Sequence, residues 1–203
     1  MYLSKTSALI QQLFPDLLCR VPGKGKVVYL TFDDGPTAGV TEEVLNVLAE
    51  YGAKATFFCL GRQVLQHPEL YARILIEGHR VGNHSYNHPD GWRTGTENYL
   101  QNVALAEQSI NTNIFRPPYG RLRPAQYAAL KSRFRVVLWD VMPGDFDPSK
   151  TPNDCFQILS QHVSPGSIIV LHDSEKAQPR LKEILPRFLK EFSEKGYQFA
   201  ALP

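Results

Sequence analysis

The feature that most constrains the fold of this chain is an alternation of short, nearly continuous apolar runs with longer amphipathic ones. Lys26 to Phe32, Ala55 to Leu60, Arg80 to Asn83, Ile114 to Arg116, Phe134 to Val141, Ser167 to Leu171 and Tyr197 to Leu202 read as strands. Between them lie helical patterns. Thr41 is placed to cap a helix whose apolar face is Val44, Leu45, Val47, Leu48 and Tyr51, stopped by Gly52. Further helices are expected from Pro68 to Ile76, Glu97 to Asn111, Ala125 to Ser132, Pro152 to Val163 behind a Thr151 cap, and Lys176 to Lys195. Strands this apolar are buried on both faces, and helical crossovers make them parallel. A seven-unit α/β barrel or an open doubly wound sheet satisfies the pattern.

The 203 residues suit one domain, and no linker, repeat or low-complexity stretch divides them. Residues 1–25 read as an N-terminal extension. Its Leu9, Ile10, Leu13, Phe14, Leu17 and Leu18 fall at helical spacing, interrupted by Pro15, which predicts a helix packed on the barrel.

Composition narrows the function classes. The formal net charge is +2, with Lys and Arg scattered, which argues against a nucleic-acid partner. No apolar run approaches the roughly 20 residues that span a bilayer, so no transmembrane segment is expected. Cys19, Cys59 and Cys155 lack metal-type spacing and give no disulfide framework; Cys59 reads as a core residue. No signal peptide is visible, which predicts a cytoplasmic chain or a trimmed extracytoplasmic one.

Chemistry-bearing residues gather where parallel α/β folds place their sites, at the C-terminal ends of the strands. Asp33 and Asp34 follow the first strand and His84 and His88 the third; Arg116 follows the fourth, Asp140 and Asp145 the fifth, and His172 and Asp173 the sixth. His84 and His88 are four residues apart, so one helical turn would align their imidazoles, and Pro89 would end it. Two His and a carboxylate form a common catalytic zinc set. A hydrolase that works with a metal and water needs one carboxylate on the ion and another to take the proton, which accounts for an Asp pair. A charged His172 suits protonation of a leaving amine. Asp145 is the candidate for keeping it charged, with Asp173 or Asp140 in reserve. Arg116-Pro117-Pro118-Tyr119-Gly120 is a rigid loop able to aim a backbone N–H, such as that of Tyr119, at an oxyanion. Arg116 itself is placed to orient Asp33 or Asp145.

With these residues assembled, the chain resembles the polysaccharide deacetylase family, the NodB-homology or carbohydrate esterase family 4 domain. Thr31-Phe32-Asp33-Asp34-Gly35-Pro36 is similar to its first motif and His84-Ser85-Tyr86-Asn87-His88 to its HSxxH motif. Arg116 to Gly120 is similar to its RPPYG motif, and Val170-Leu171-His172 to its last. The likeness runs from about Val27 to the C-terminus. It implies a distorted (β/α)7 barrel with parallel strands and an outer ring of helices. It implies a divalent metal ion, zinc first, with cobalt, nickel and manganese as alternatives, held by Asp34, His84 and His88. Asp33 is then the general base, His172 the general acid, Tyr119 the oxyanion donor, and Arg116 and Asp145 the tuning residues. Pro117, Phe146 and Val170 are expected to line the substrate cleft. Two departures bear on substrate fit. The fourth motif, usually Asp-x-x-Asp-Trp, reads Met142-Pro143-Gly144-Asp145-Phe146, and Val170 replaces a Leu of the acetyl pocket.

The expected activity is removal of acetyl groups, N-acetyl before O-acetyl, from an acetylated carbohydrate. One competing reading is a catalytically weak deacetylase-like protein that binds glycans, against which the complete acid, base and ligand set speaks. The other is a phosphodiesterase, which would want more positive charge at the strand ends.

Overall fold

The computed structural model describes residues 4–5, 16–23 and 25–203. Among the described residues there are seven strands: β1 (Val27–Asp33), β2 (Ala55–Cys59), β3 (Arg80–Asn83), β4 (Ile114–Phe115), β5 (Arg135–Val136), β6 (Ile168–His172) and β7 (Gln198–Phe199). They pair in parallel in the order β5-β4-β3-β2-β1-β6, and β7 joins the start of β1. Seven α-helices among the described residues surround the curled sheet: α1 (Val40–Glu50), α2 (Gly61–Gln66), α3 (Pro68–Ile76), α4 (Thr96–Glu107), α5 (Pro124–Leu130), α6 (Pro152–His162) and α7 (Gln178–Glu194).

Alternation along the strands sorts side chains between two apolar regions. Leu30, Phe32 and Phe57 face outward into the main core, with Leu45 and Leu48 of α1 and Leu185 and Phe188 of α7. Phe32 and Phe57 stack there with ring centroids 5.1 Å apart. Phe58, Ile114, Val137 and Ile168 form a second cluster with Leu18 and Leu202. Register then brings the strand ends level, because Asp33 pairs with Phe58 on one side and His172 on the other.

The wall departs from the expected strands at its seam. The apolar run from Phe134 to Val141 is a strand only at Arg135–Val136, because it changes partners as it climbs. After β4, its next partner is Leu18, which donates to Val136 O and accepts from Leu138 N, both at 2.9 Å. Asp140 and Val141 then donate to Ile168 O of β6, and Val170 N to Val141 O. The extension therefore contributes to the wall itself. Leu18 is extended rather than helical, and Arg20 bridges Asp140, Ser164 Oγ, Ser167 Oγ and Pro165 O across the seam. The helix expected over Leu9, Ile10, Leu13 and Phe14 lies outside the described residues.

Two local expectations are corrected. Gly39, with φ 78°, occupies the cap of α1; Thr41 is inside the helix and turns its hydroxyl elsewhere. The six-residue α2 has no apolar periodicity to announce it, burying only Gly61 and Val64. The Thr151 cap is present as a reciprocal box with Asp154. All three cysteines are free and buried.

Gly82 of β3 links wall packing to the mouth of the barrel. A Cβ there would meet Phe58 Cδ1 at 2.4 Å, and Phe58 carries the Arg116 guanidinium 4.1 Å above its ring. Gly82→Ala is expected to destabilise the fold by about 1–3 kcal/mol through overpacking, measurable by urea denaturation.

Candidate active site

The site is built on the β1 end. Asp33 closes the strand, and the chain then turns through Asp34 at φ 83°. Asp34 Oδ1 lies 3.3 Å from His88 Nε2 and 3.7 Å from His84 Nε2. One ligand atom from each of these three residues falls within 4.8 Å of the others, and they form the only such group among the described residues.

His84 and His88 do not meet through a helical turn. Ser85 and His88 both adopt left-handed backbone, φ 69° and 65°, and the loop is held by side chains. Asn83 Oδ1 accepts from Ser85 N at 2.7 Å, Ser85 Oγ from His88 N at 3.1 Å, and Asn102 Oδ1 from Tyr86 N at 3.0 Å. Asp34, Ser85, His88 and Tyr119 are the only non-glycine residues with positive φ among those described, and all four border this site. Such conformations cost on the order of 1–3 kcal/mol each and persist only where surrounding contacts enforce them.

The three ligand candidates fit a divalent cation. His84 Nδ1 is 2.7 Å from Arg116 O and can only donate to it, which leaves Nε2 with its lone pair facing Asp34. Burial, reinforced by His88, pushes His84 down to about 3, and burial also lowers His88 despite the opposing pull of Asp34. Both rings are therefore neutral at pH 7, the form that ligates. Asp34 Oδ1 is buried without a hydrogen-bond partner among the described residues. A desolvated carboxylate oxygen facing two imidazole lone pairs is an arrangement a cation completes.

Asp33 has a different environment. Arg116 Nη1 donates to Asp33 Oδ1 at 2.6 Å and to Thr31 Oγ1 at 2.7 Å, while Nη2 donates to Leu138 O at 2.9 Å. Arg116 is fully buried, and its bonds fix Asp33 beside the metal candidates with Oδ2 3.9 Å from His84 Nε2. Of the two partners expected for Arg116, it takes Asp33 and leaves Asp145 to His172.

On β6, Asp145 Oδ2 accepts from His172 N at 2.7 Å, and Oδ1 lies 2.9 Å from His172 Nδ1. Burial works against the charged ring, but Asp145, by charge and hydrogen bond, with Asp34 and Asp33 behind it, raises His172 to about 9. The Phe146 ring meets His172 edge-on at 4.8 Å. Val170 is buried, on the same strand face as His172. Across the site, Tyr119 packs against His88 at 4.5 Å with φ 59°, and Pro117 is a buried part of its turn, accepting from Gly120 N.

Two expected acids have other tasks. Asp140 belongs to the seam with Arg20 and Ser167. Asp173 is buried behind the β1 turn, where Oδ1 accepts from Gly35 N at 3.1 Å and Oδ2 from Thr41 Oγ1 at 2.7 Å. A Cβ on Gly35 would collide with that carboxyl at 2.0 Å. Burial, aided by the Asp34 charge, pushes Asp173 up to about 8 against the pull of Thr41 and Gly35, so it adds no full negative charge at neutrality. The sequence offers no signal for the Thr41 contact, which depends on a partner 132 residues away.

Comparisons with known proteins identify the family of the chain. The sequence model for polysaccharide deacetylases matches residues 20–135. A peptidoglycan-N-acetylglucosamine deacetylase of Bacillus cereus is 32% identical over 193 residues, covering 90% of this chain and 89% of the relative. The peptidoglycan-N-acetylmuramic acid deacetylase PdaC of Bacillus subtilis is 32% identical over 183 residues; the match covers 87% of this chain but only 38% of PdaC. Among solved structures, the Bc1960 peptidoglycan N-acetylglucosamine deacetylase superposes with a TM-score of 0.85 at 26% identity, over 98% of this chain and 96% of that one.

The Asp145–His172 pair yields a test that needs no substrate. In EDTA-treated protein, the His172 ring is expected to titrate near pH 9 by NMR. Asp145→Asn removes the carboxylate while burial stays, so the titration should drop by two units or more, to the ordinary histidine value of about 6.5 or below. A raised folded value also means that this pair stabilises the fold below about pH 6.5, and that the contribution is lost as pH rises through about 9.

Proposed function

The chain belongs to the polysaccharide deacetylase family, and from that premise we propose that it hydrolyses the N-acetyl group of an N-acetylhexosamine in a glycan, releasing acetate and a free amine. The observation that carries this reading is the Asp33 and Asp34 pair, divided between Arg116 on one side and two neutral imidazoles on the other, with a charged His172 adjacent in register. The substrate class rests on the relatives, whose names specify peptidoglycan N-acetylglucosamine and N-acetylmuramic acid.

Asp34, His84 and His88 would hold a divalent cation, with zinc first among candidates for this donor set. Bound there, it supplies Lewis-acid polarisation of the acetyl carbonyl and makes water more acidic. Asp33, its Oδ1 engaged by Arg116, accepts the proton that water gives up as its oxygen adds to the carbonyl carbon. The Tyr119 N–H, turned by its left-handed backbone, donates to the oxyanion that develops. His172, kept protonated by Asp145, gives its Nε2 proton to the amide nitrogen as the C–N bond breaks, so the amine leaves neutral. Phe146 and Val170 line the His172 side of the acetyl pocket. No described helix is long and apolar enough to cross a membrane.

The test is acetate release from N-acetylglucosamine oligomers and from peptidoglycan. Wild-type protein with one equivalent of zinc should turn over, and EDTA should stop it reversibly. Asp33→Asn should lower kcat by about 10²-fold or more while zinc stoichiometry stays unchanged by elemental analysis. A variant with full turnover would remove Asp33 from the role of base.

A further inference from the structure

Thr41 and Asp173 are polar residues that the proposed reaction does not use, yet both are buried, at 0% and 1% exposure. A carboxyl taken out of water costs free energy unless its oxygens find donors. Asp173 finds one for each: Gly35 N donates to Oδ1 at 3.1 Å and Thr41 Oγ1 to Oδ2 at 2.7 Å. The Thr41 hydroxyl in turn accepts from Thr37 N at 2.8 Å. The backbone N–H of Asp173 donates to Asp33 O at 3.1 Å, and Leu60 N, just beyond β2, donates to Gly35 O at 3.0 Å. The turn after β1 is thus held from the ends of both neighbouring strands and from the first turn of α1.

The residue these bonds enclose is Asp34. Each imidazole of the ligand set is oriented by a contact of its own ring: His84 donates from Nδ1 to Arg116 O, and His88 packs against Tyr119. Asp34 Oδ1 has no hydrogen-bond partner among the described residues, so the direction of this carboxylate is left to its backbone, at φ 83°. Left-handed backbone at a non-glycine residue persists only where surrounding contacts enforce it. Asp173 supplies such contacts on both sides, to Asp33 O before Asp34 and to Gly35 N after it. An apolar pair of the same shape would fill the space behind the turn without desolvating a carboxyl, but it would hold neither group.

We infer that Asp173, tied in place by Thr41, is a positioning residue for Asp34: it brackets the turn so that the Asp34 carboxylate already faces His84 and His88 before an ion arrives. The inference rests on the ligand role proposed for Asp34, and it is independent of which glycan is deacetylated. Partners that orient a ligand from behind act on metal affinity, because a ligand ordered in advance does not have to be ordered on binding. The Thr41 hydroxyl is the outermost link, and it can be removed without touching any residue assigned to the reaction.

The test is zinc affinity, measured by competition with a chromogenic chelator. Thr41→Val keeps the side-chain shape and removes the hydroxyl, and it should weaken zinc binding about ten-fold or more. Thr41→Ser, which restores the hydroxyl, should recover most of the loss. Asp173→Asn, whose amide can meet the same two partners, should bind zinc like wild type, whereas Asp173→Ala should lose at least as much as Thr41→Val. In EDTA-treated protein, amide exchange at Gly35 and Thr37 should quicken about ten-fold in Thr41→Val while β6 stays protected. Thr56→Val is the control for stability alone: it removes another buried hydroxyl, the acceptor of Leu202 N at 2.9 Å near the start of β2. It should lower the melting temperature and leave zinc affinity unchanged. Unchanged zinc affinity in Thr41→Val, or an equal loss in Thr56→Val, would overturn the positioning role and leave the ligand set standing. Wild-type protein that binds neither zinc nor cobalt would overturn the ligand set and the positioning role with it.

Discussion

The buried pair of Arg116 and Asp33 is the interaction on which the active end of the barrel depends. Arg116 comes from the end of β4, crosses the mouth, and bonds to Asp33 and Thr31 of β1 and to Leu138 O beyond β5. Its backbone carbonyl meanwhile accepts from His84 beyond β3. One residue thus ties four strand ends together and sets the tautomer of a ligand candidate. Desolvating an ion pair is costly, and removing one partner of such a pair costs about 3–5 kcal/mol because the other is stranded. A hydrophobic substitute would serve packing as well. The pair is better understood as a positioning device, supported from below by the ring of Phe58.

Much of this was legible in the residues, for physical reasons. Strands buried on both faces leave a continuous apolar signature, so Arg80–Asn83 and the neighbouring Pro68–Ile76 helix fall where the pattern sets them. The site residues were legible because parallel strands deliver their C-terminal ends to one rim, and because Asp, His and Arg are conspicuous against apolar strands. The seam was not legible. Nothing in the run from Phe134 to Val141 indicates that it pairs in turn with β4, Leu18 and β6, because each bond is a backbone contact indifferent to side-chain type. The His84–His88 spacing anticipated that the two rings meet, but not how. Four-residue spacing suits a helical turn, yet Asn83, Ser85 and Asn102 impose a loop with two left-handed residues instead.

The departures in the fourth motif acquire a structural meaning. Phe146 keeps an aromatic edge on His172, so the histidine retains its wall, and Lys176 lies 5.5 Å from the Phe146 centroid on the outer side. Asp145 is retained where it matters, bonding both the backbone and the ring of His172. Size is lost on this side of the cleft, while the opposite side carries Tyr119 and Trp92 with Arg121 between them. Aromatic side chains thus stand both beside His172 and beside the metal-ligand candidates.

Four carboxyl groups crowd this end of the barrel, and the fold treats each differently. Asp33 is matched by a guanidinium, Asp145 by the imidazole it keeps charged, and Asp173 by burial that favours its neutral form. Asp34 has neither a cation nor a donor among the described residues, only two imidazoles that burial keeps neutral. The same loop that leaves it uncompensated also holds it in a left-handed backbone, with Asp173 and Thr41 clamping the following turn. A fold that compensates three acids and leaves the fourth facing two neutral imidazoles gives that fourth carboxylate the surroundings that suit the ligand role proposed for it. The charge pattern therefore gives the two members of an Asp-Asp dipeptide different surroundings, on which the proposed division into base and ligand rests, a distinction the residue types alone leave open.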